Sequence, residues 1–118
     1  VGSERWAKAT ANAFEMLRQN VCDEVARPEW WNDEGLKALS ARVVSAAANE
    51  AIALNMRALV LCGLACGAWE EGPRSAAEFK EAAAHFDRAA ALTNAPTVKG
   101  QRAGLADHCR RLAALSPM

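Results

Sequence analysis

The sequence predicts an all-α fold, an antiparallel four-helix bundle with a long second helix. Alanine occupies 28 of the 118 positions and tyrosine is absent, a composition typical of helices. Large apolar residues recur at spacings of three and four along the chain, which is the helical period. Three of the four prolines fall where such periodic segments stop or start. A chain of this length can bury one sufficient core, so residues 1–118 are expected to form a single helical domain, whether or not they belong to a larger protein.

The first helix is predicted over residues 3–26. Trp6, Phe14 and Leu17 lie on one face of it, and Pro28 ends it because the residue before a proline is pushed out of helical geometry. Trp30 and Trp31 follow in the connection. We expect one of these rings to close the end of the bundle, since tryptophan is highly buried on average; the alternative is an exposed hot spot for a partner.

The second helix is predicted as one long helix over residues 33–71, begun by a cap at Asn32 or Asp33. No proline occurs between residues 36 and 69, and every residue around 48–50 is compatible with a helix. A break at 48–50 is the alternative. The apolar run in residues 52–69 is shorter than the ~20 residues that a bilayer requires, so no integral membrane segment is expected. Gly63 and Gly67 are placed within this helix, at a spacing that allows close helix contact.

Turn and capping signals define the third and fourth helices. Gly72 and Pro73 turn the chain, and Ser75 with Glu78 forms a capping box, in which the two side chains satisfy each other's backbone amides. The third helix ends near 93–94, and Pro96 fits the first turn of the fourth.

Two glycines interrupt the fourth helix. Gly100 and Gly104 weaken it by roughly 1 kcal/mol each relative to alanine. A glycine pair on one face admits a neighbouring backbone, so we expect a tight contact within the domain; a groove for a partner is the alternative.

Charge excludes some classes of partner. The 14 basic and 14 acidic residues cancel, so no overall field attracts nucleic acid or an anionic membrane. The last stretch of the chain has a local basic excess, which is either a solvated helix face or a docking surface. If the third and fourth helices form the walls of a groove, its candidate polar contacts to a partner are Lys80, Arg88, Lys99, Arg102 and Arg110.

The sequence offers little for catalysis. His85 lies one turn after Glu81, a pair that could orient a base but more commonly forms a surface ion pair. No phosphate loop, nucleophile elbow or dinucleotide fingerprint occurs, so no enzyme activity, catalytic residue or cofactor is predicted.

The cysteines are expected to be reduced and buried, which is typical of a cytoplasmic protein. They could form a zinc site with the histidines, but two of the thiols lie in an apolar helical stretch rather than on turns, so no metal site is predicted. The four cysteines are Cys22, Cys62, Cys66 and Cys109, and the zinc site would use Cys62, Cys66, Cys109, His85 and His108.

Residues 49–96 resemble a tetratricopeptide-type helical hairpin. Gly63 stands at the small position of the first helix, and Ala82, Phe86 and Ala89 reproduce the pattern of the second, followed by Pro96. About seven extra residues separate the two helices. Residues 50–55 and 80–90 also resemble the helical core of Bro1-type domains, although a complete Bro1 domain is much longer. Residues 49–115 further resemble a three-helix microtubule-interacting-and-trafficking module.

These resemblances jointly imply a scaffold that binds peptides or helices, and two of the three families serve membrane-remodelling machinery. The expected function is therefore that of a protein-interaction scaffold or adaptor that binds a helical or extended segment in a groove between helices. Two alternatives remain open. One is a helical bundle that binds a small molecule, haem or a metal, and the other is a structural unit that self-associates.

Overall fold

The computed structural model describes residues 2–19, 28–63, 69 and 72–116. All regular structure within these residues is helical, which confirms the all-α class. The described part contains five helices, so the prediction of a four-helix bundle is wrong. The helices are α1 (Glu4–Gln19), α2 (Asp33–Ala46), α3 (Ala51–Cys62), α4 (Ala76–Ala91) and α5 (Pro96–Leu115). None of them is long and apolar enough to cross a membrane.

The fifth helix arises because the predicted long second helix is interrupted at residues 47–50. Ala47 leaves helical geometry at φ −138° and ψ 54°, and the N–H of Glu50 donates to the Ala47 carbonyl at 3.0 Å. Arg88 of α4 holds this turn, donating to the carbonyl of Ala48 at 3.3 Å and to the Oδ1 of Asn49. The prediction of one long helix is therefore wrong, and the alternative break at 48–50 is confirmed.

Packing explains why the break prevails over local helix propensity. A straight helix could not lay its two halves against each other, whereas the turn brings α2 and α3 together as an antiparallel pair. Arg57 of α3 marks their alignment, since its Nη1 donates to the Lys37 carbonyl at 2.7 Å and to the Ser40 Oγ at 3.1 Å. Leu36 and Val43 of α2 and Met56 and Val60 of α3 are then fully buried. Stability in protein helices comes mostly from such burial and not from propensity.

Gly63 ends α3. It adopts a left-handed conformation at φ 71°, and its N–H donates to the Leu59 carbonyl at 3.0 Å. Glycine occupies this position readily because it lacks a Cβ. The prediction that Gly63 lies within a helix is therefore wrong, while Gly67 and the rest of the predicted segment up to residue 68 lie outside the described residues.

The local signals around α4 and α5 are confirmed. The Ser75 Oγ accepts a hydrogen bond from the Glu78 N–H at 3.1 Å, and the Glu78 Oε1 accepts one from the Ser75 N–H at 2.9 Å, which completes the capping box. Pro96 is the first residue of α5. The predicted first helix is confirmed from Glu4 to Gln19; its predicted end at residues 20–26 lies outside the described residues.

The helices pack mainly in chain order. α1 packs on α2 and α3, α3 packs on α4, and α4 packs on α5. Lys8 pairs with Glu50 at 3.7 Å and Asn55 bonds Glu15 at 3.4 Å, so α1 and α3 run in the same direction. Among the described helices, α4 is the only one against which α5 packs extensively.

An aromatic cluster joins α1 to the two connections beside it. Phe14 lies with its ring centroid 5.5 Å from that of Trp31 and 6.1 Å from that of Trp69, and the two indoles meet edge to face at 5.8 Å. Trp31 is only 8% exposed, so the expected burial of one of the paired tryptophans is confirmed. Trp30 is half-buried and lies 5.7 Å from Trp31.

A partly buried salt bridge links α2, α3 and the entry to α4. The Arg74 side chain is 4% exposed and its two terminal nitrogens bind both carboxylate oxygens of Asp33, one of them at 3.1 Å. The same guanidinium donates to the Val60 carbonyl at 3.0 Å and to the Gly72 carbonyl at 3.0 Å. Trp69 donates its indole N–H to Asp33 at 3.3 Å. One arginine thus satisfies acceptors from three separate segments.

The pKa of the Asp33 carboxyl is lower than its usual value. Burial alone would raise the pKa of Asp33, but hydrogen bonds from Arg74 and Trp69 outweigh it and the pKa is lowered. Glu78 behaves in the same way: burial raises its pKa, and the hydrogen bond from Lys37 at 2.7 Å together with the Ser75 N–H lowers it. Both carboxylates therefore stay charged in the folded protein below their usual titration range.

The glycines of α5 do not make the predicted tight contact. A Cβ built on Gly100 or Gly104 meets no atom within 4 Å, and both residues are exposed. The expectation that they pack against a neighbouring helix of the domain is therefore wrong.

We expect alanine at Gly100 or Gly104 to stabilise the protein. Each substitution removes conformational freedom from the unfolded chain and meets no neighbour, so the free energy of unfolding should rise by up to about 1 kcal/mol. Gly63→Ala is the contrasting variant, since it forces a side chain into left-handed geometry and should lower stability by about 1 kcal/mol. Urea titration followed by circular dichroism measures both effects. A loss of stability in Gly104→Ala would contradict the finding that a side chain at Gly104 meets open space.

Arg74→Met should destabilise the fold by about 3 kcal/mol, because it leaves the Asp33 carboxylate and the Val60 carbonyl without their main partner in a protected site. Arg111→Met removes an exposed arginine of α5 and should change stability by at most about 0.5 kcal/mol. Urea midpoints of the two variants provide the comparison. Equal losses would show that the buried link does not support the fold.

Acid should weaken the wild type through Asp33. A lowered folded-state pKa means that the unfolded chain binds the proton first, so stability is full above the usual value of 3.8 and falls as the pH drops through the lowered one. Asp33→Asn lacks this dependence. The stability difference between wild type and Asp33→Asn, measured by urea titration from pH 7 to pH 3, should therefore shrink at the acidic end; a constant difference would exclude this linkage.

Candidate functional site

An open cleft of about 270 Å³ lies between the first half of α5 and the surface formed by α1 and α3. It exists because α5 folds back on α4 and leaves its first turns facing the other two helices across a gap. Both apolar and hydrogen-bonding side chains line it. They are Arg18 from α1, Asn55 and Leu59 from α3, and Val98, Gln101, Arg102 and Leu105 from α5.

The wall formed by α1 and α3 is organised around one carboxylate. Glu15 accepts a hydrogen bond from the Nη2 of Arg18 at 2.7 Å and a longer one from the Nδ2 of Asn55 at 3.4 Å. The Nε of Arg18 is buried and has no hydrogen-bond acceptor among the described residues. Arg18 is therefore fixed by Glu15 but not fully satisfied by it.

The opposite wall presents Arg102. Its Nη1 donates to the Thr93 Oγ1 at 2.6 Å, and the Thr93 hydroxyl donates in turn to the Ala89 carbonyl at 2.6 Å. Burial lowers the pKa of Arg102, and the negative charge of Glu15 only partly offsets that effect. A guanidinium has five N–H donors, so this anchor leaves most of them for another acceptor.

The structure places one of the five predicted contact residues in this cleft, namely Arg102. Arg88 instead holds the turn between α2 and α3. Arg110 pairs with Asp87 of α4 at 2.7 Å and with Asp107 of its own helix. Lys80 and Lys99 are exposed and do not line the cleft. Of the five residues, Arg102 alone therefore lines this cleft.

Sequence reasoning missed the contribution of the first helix. Glu15 and Arg18 carry a local signal, an acid and a base three residues apart on one helix face. Asn55 is a polar residue within an apolar helix, which also signals a special position. None of these signals shows which helix faces meet in three dimensions.

The predicted contact between the side chains of Glu81 and His85 is confirmed. His85 Nε2 lies 3.0 Å from the Oε2 of Glu81, and Arg57 donates its Nε to the same oxygen at 3.1 Å. Burial raises the pKa of Glu81, but the His85 hydrogen bond and the Arg57 charge outweigh this effect. The net pKa is lowered, so the carboxylate stays ionised. The arrangement ties α3 to α4, and an ionised carboxylate of low pKa is a poor general acid.

Two of the four cysteines lie in the described core. Cys62 and Cys109 are buried, and neither forms a disulfide with another described residue. A hydrogen bond with Cys62 lowers the pKa of Cys109 against the opposing effect of burial. Cys22 and Cys66 lie outside the described residues. Over the described residues, no group of three or more histidine, cysteine, aspartate or glutamate side chains is placed to hold a metal ion.

Two further clefts have the same volume of about 270 Å³ but simpler linings. One is mostly apolar, lies between α1 and α2, and includes Trp6, Trp30 and Leu39. The other includes Arg42, whose guanidinium stacks 5.2 Å from the centre of the Trp6 ring. The cleft at α5 differs from both in carrying two arginines and two amides that face apolar side chains.

Comparison of the chain with models of protein families, with curated proteins and with solved structures found no match. The geometry of the cleft is therefore the basis for assigning a function.

Proposed function

We propose that the protein is an interaction scaffold or adaptor, and that the cleft between α5 and the α1–α3 surface receives a helical or extended segment of a partner protein. The observation that carries this proposal is the placement of α5. It packs extensively on α4 alone among the described helices, and its first half faces α1 and α3 across an open gap.

The lining of the cleft supports recognition of a peptide. Leu59, Val98 and Leu105 offer apolar surface for one or two side chains, while the arginines and amides offer donors that fix orientation. Peptide grooves on helical proteins combine these two elements. The volume of about 270 Å³ lies just below the range of roughly 300–1,000 Å³ typical of pockets for whole small molecules, which favours part of a peptide over an enclosed cofactor.

The order of packing supports the tetratricopeptide-like interpretation as part of this proposal. α2 with α3 and α4 with α5 form two successive antiparallel pairs, each packed on its neighbour in the chain. Arrays of such pairs create extended binding surfaces from residues on successive helices. The proposed role is therefore non-enzymatic, and its specificity lies in side chains contributed by α1, α3 and α5.

Self-association is the second candidate, and the outer surface of α5 favours it. Gly100 and Gly104 leave space for the backbone of another helix, and Leu115 is 81% exposed at the end of the same helix. Light scattering over a wide range of protein concentration tests this role. A mass that rises with concentration in the wild type and stays monomeric in Gly104→Leu would support it; a constant mass would exclude it.

Filling the cleft should abolish binding of the partner. Gln101 is exposed and lines the cleft, so Gln101→Trp places an indole ring in the gap without disturbing the core. Ala103→Trp puts the same ring at an exposed position of α5 that does not line the cleft, and it serves as the matched control. Each variant is used as bait in quantitative co-purification from the native cell.

The expected result is a set of proteins that wild type and Ala103→Trp retain and that Gln101→Trp loses. Circular dichroism of the three baits confirms that each is equally helical. Recovery of the same proteins by all three baits would place any interaction elsewhere and overturn the assignment of this cleft.

A further inference from the structure

We infer that the partner segment is acidic: an aspartate or glutamate side chain of the bound peptide inserts between Arg18 and Arg102, and an adjacent apolar side chain packs on Leu59, Val98 and Leu105. This inference rests on the proposed function and names the chemistry of its partner. Three features of the cleft support it, namely its charge, its unused donors and its apolar floor.

The charge of the cleft is positive. Two guanidinium groups and two side-chain amides line it, and none of the described lining residues is acidic. Glu15, which lies behind the wall, is the neighbouring negative charge that acts on both Arg18 and Arg102. Among the described residues, one carboxylate faces two guanidinium groups, which leaves a positive charge that an acidic ligand can neutralise.

The donors in the cleft are incompletely used. Arg18 gives one nitrogen to Glu15, and its buried Nε has no acceptor among the described residues. Arg102 gives one nitrogen to Thr93. Arginine binds carboxylates through paired N–H donors, and such charge-assisted hydrogen bonds are about twice as strong as neutral ones. A second carboxylate would therefore supply the acceptor that Glu15 alone does not provide.

The remaining surface favours a peptide over a polyanion. The chain is neutral overall, and a protein that binds nucleic acid needs a basic face that follows the phosphates. Two arginines line the described part of this cleft, together with aliphatic side chains of α3 and α5. That combination matches a single carboxylate next to an apolar side chain.

Substitutions at Glu15 and at Arg102 should change the affinity for an acidic peptide in opposite directions. The Glu15 carboxylate competes with the ligand for Arg18 and shields Arg102, so Glu15→Gln should strengthen binding of an acidic peptide while Arg102→Gln weakens it. A residue that merely supports the fold would weaken binding when it is altered. Arg102→Lys keeps the charge without the planar pair of donors and should retain part of the affinity.

The experiment begins with selection of peptides from a random 12-residue phage library on the immobilised full chain. We expect the enriched peptides to carry aspartate or glutamate beside a large apolar residue. One enriched peptide is then synthesised with its acidic residue and with the matching amide, and its affinity is measured by fluorescence anisotropy. The amide version should bind about tenfold more weakly, the effect of losing one charge-assisted hydrogen bond.

The protein variants complete the test. Arg102→Gln should weaken the acidic peptide about tenfold, Glu15→Gln should tighten it severalfold, and the matched controls Arg5→Gln on α1 and Arg111→Gln on α5 should leave it unchanged. Thr93→Ala removes the anchor of Arg102 but keeps its charge. If Thr93→Ala binds like wild type while Arg102→Gln does not, the loss comes from the charge and not from a local change in the fold.

Two failures are distinguishable. Enriched peptides that lack carboxylates but lose binding to Gln101→Trp would overturn the acidic partner and leave the proposed function standing. If no peptide is enriched, or if Gln101→Trp binds every enriched peptide as wild type does, both the inference and the assignment of the cleft are overturned.

Discussion

The architecture depends on the pairing of the buried Arg74 side chain with the partly exposed Asp33. Asp33 begins α2, Val60 lies near the end of α3, and Arg74 precedes α4, so one guanidinium fixes three segments relative to one another. Such a pair gains little over well-packed apolar groups, but removing one partner is costly because the other remains charged in a protected site. The positions of α4, and of α5 that packs on it, follow from this junction.

Signals that act within a few residues were predictable from the sequence. The capping box at Ser75 and the start of α5 at Pro96 each depend on neighbours along the chain, and both are confirmed. The break at residues 47–50 was not the favoured prediction, because its own residues all tolerate a helix. Its determinants are long-range: the packing of α2 on α3 and the hydrogen bonds from Arg88, which is some forty residues away in the chain.

The candidate site, too, was predictable only where its signals are local. The basic excess near the end of the chain indicated Arg102, but it equally indicated Lys80, Arg88, Lys99 and Arg110, which do not line the cleft. A periodic pattern identifies the apolar face of each helix without specifying which faces meet. The juxtaposition of Arg18 with Arg102 is therefore a property of the tertiary fold, which brings together residues from opposite ends of the sequence.

The attachment of α5 mainly through its interface with α4 has a kinetic consequence. A helix that buries a single side is held by fewer apolar contacts than the central helices, so its amide protons exchange with solvent through a local opening that costs less free energy than global unfolding. A peptide that bridges α5 to α1 and α3 would add a second interface and slow that opening. Binding of a peptide in the cleft would thus increase the hydrogen-exchange protection of α5, even at amides remote from the bound segment.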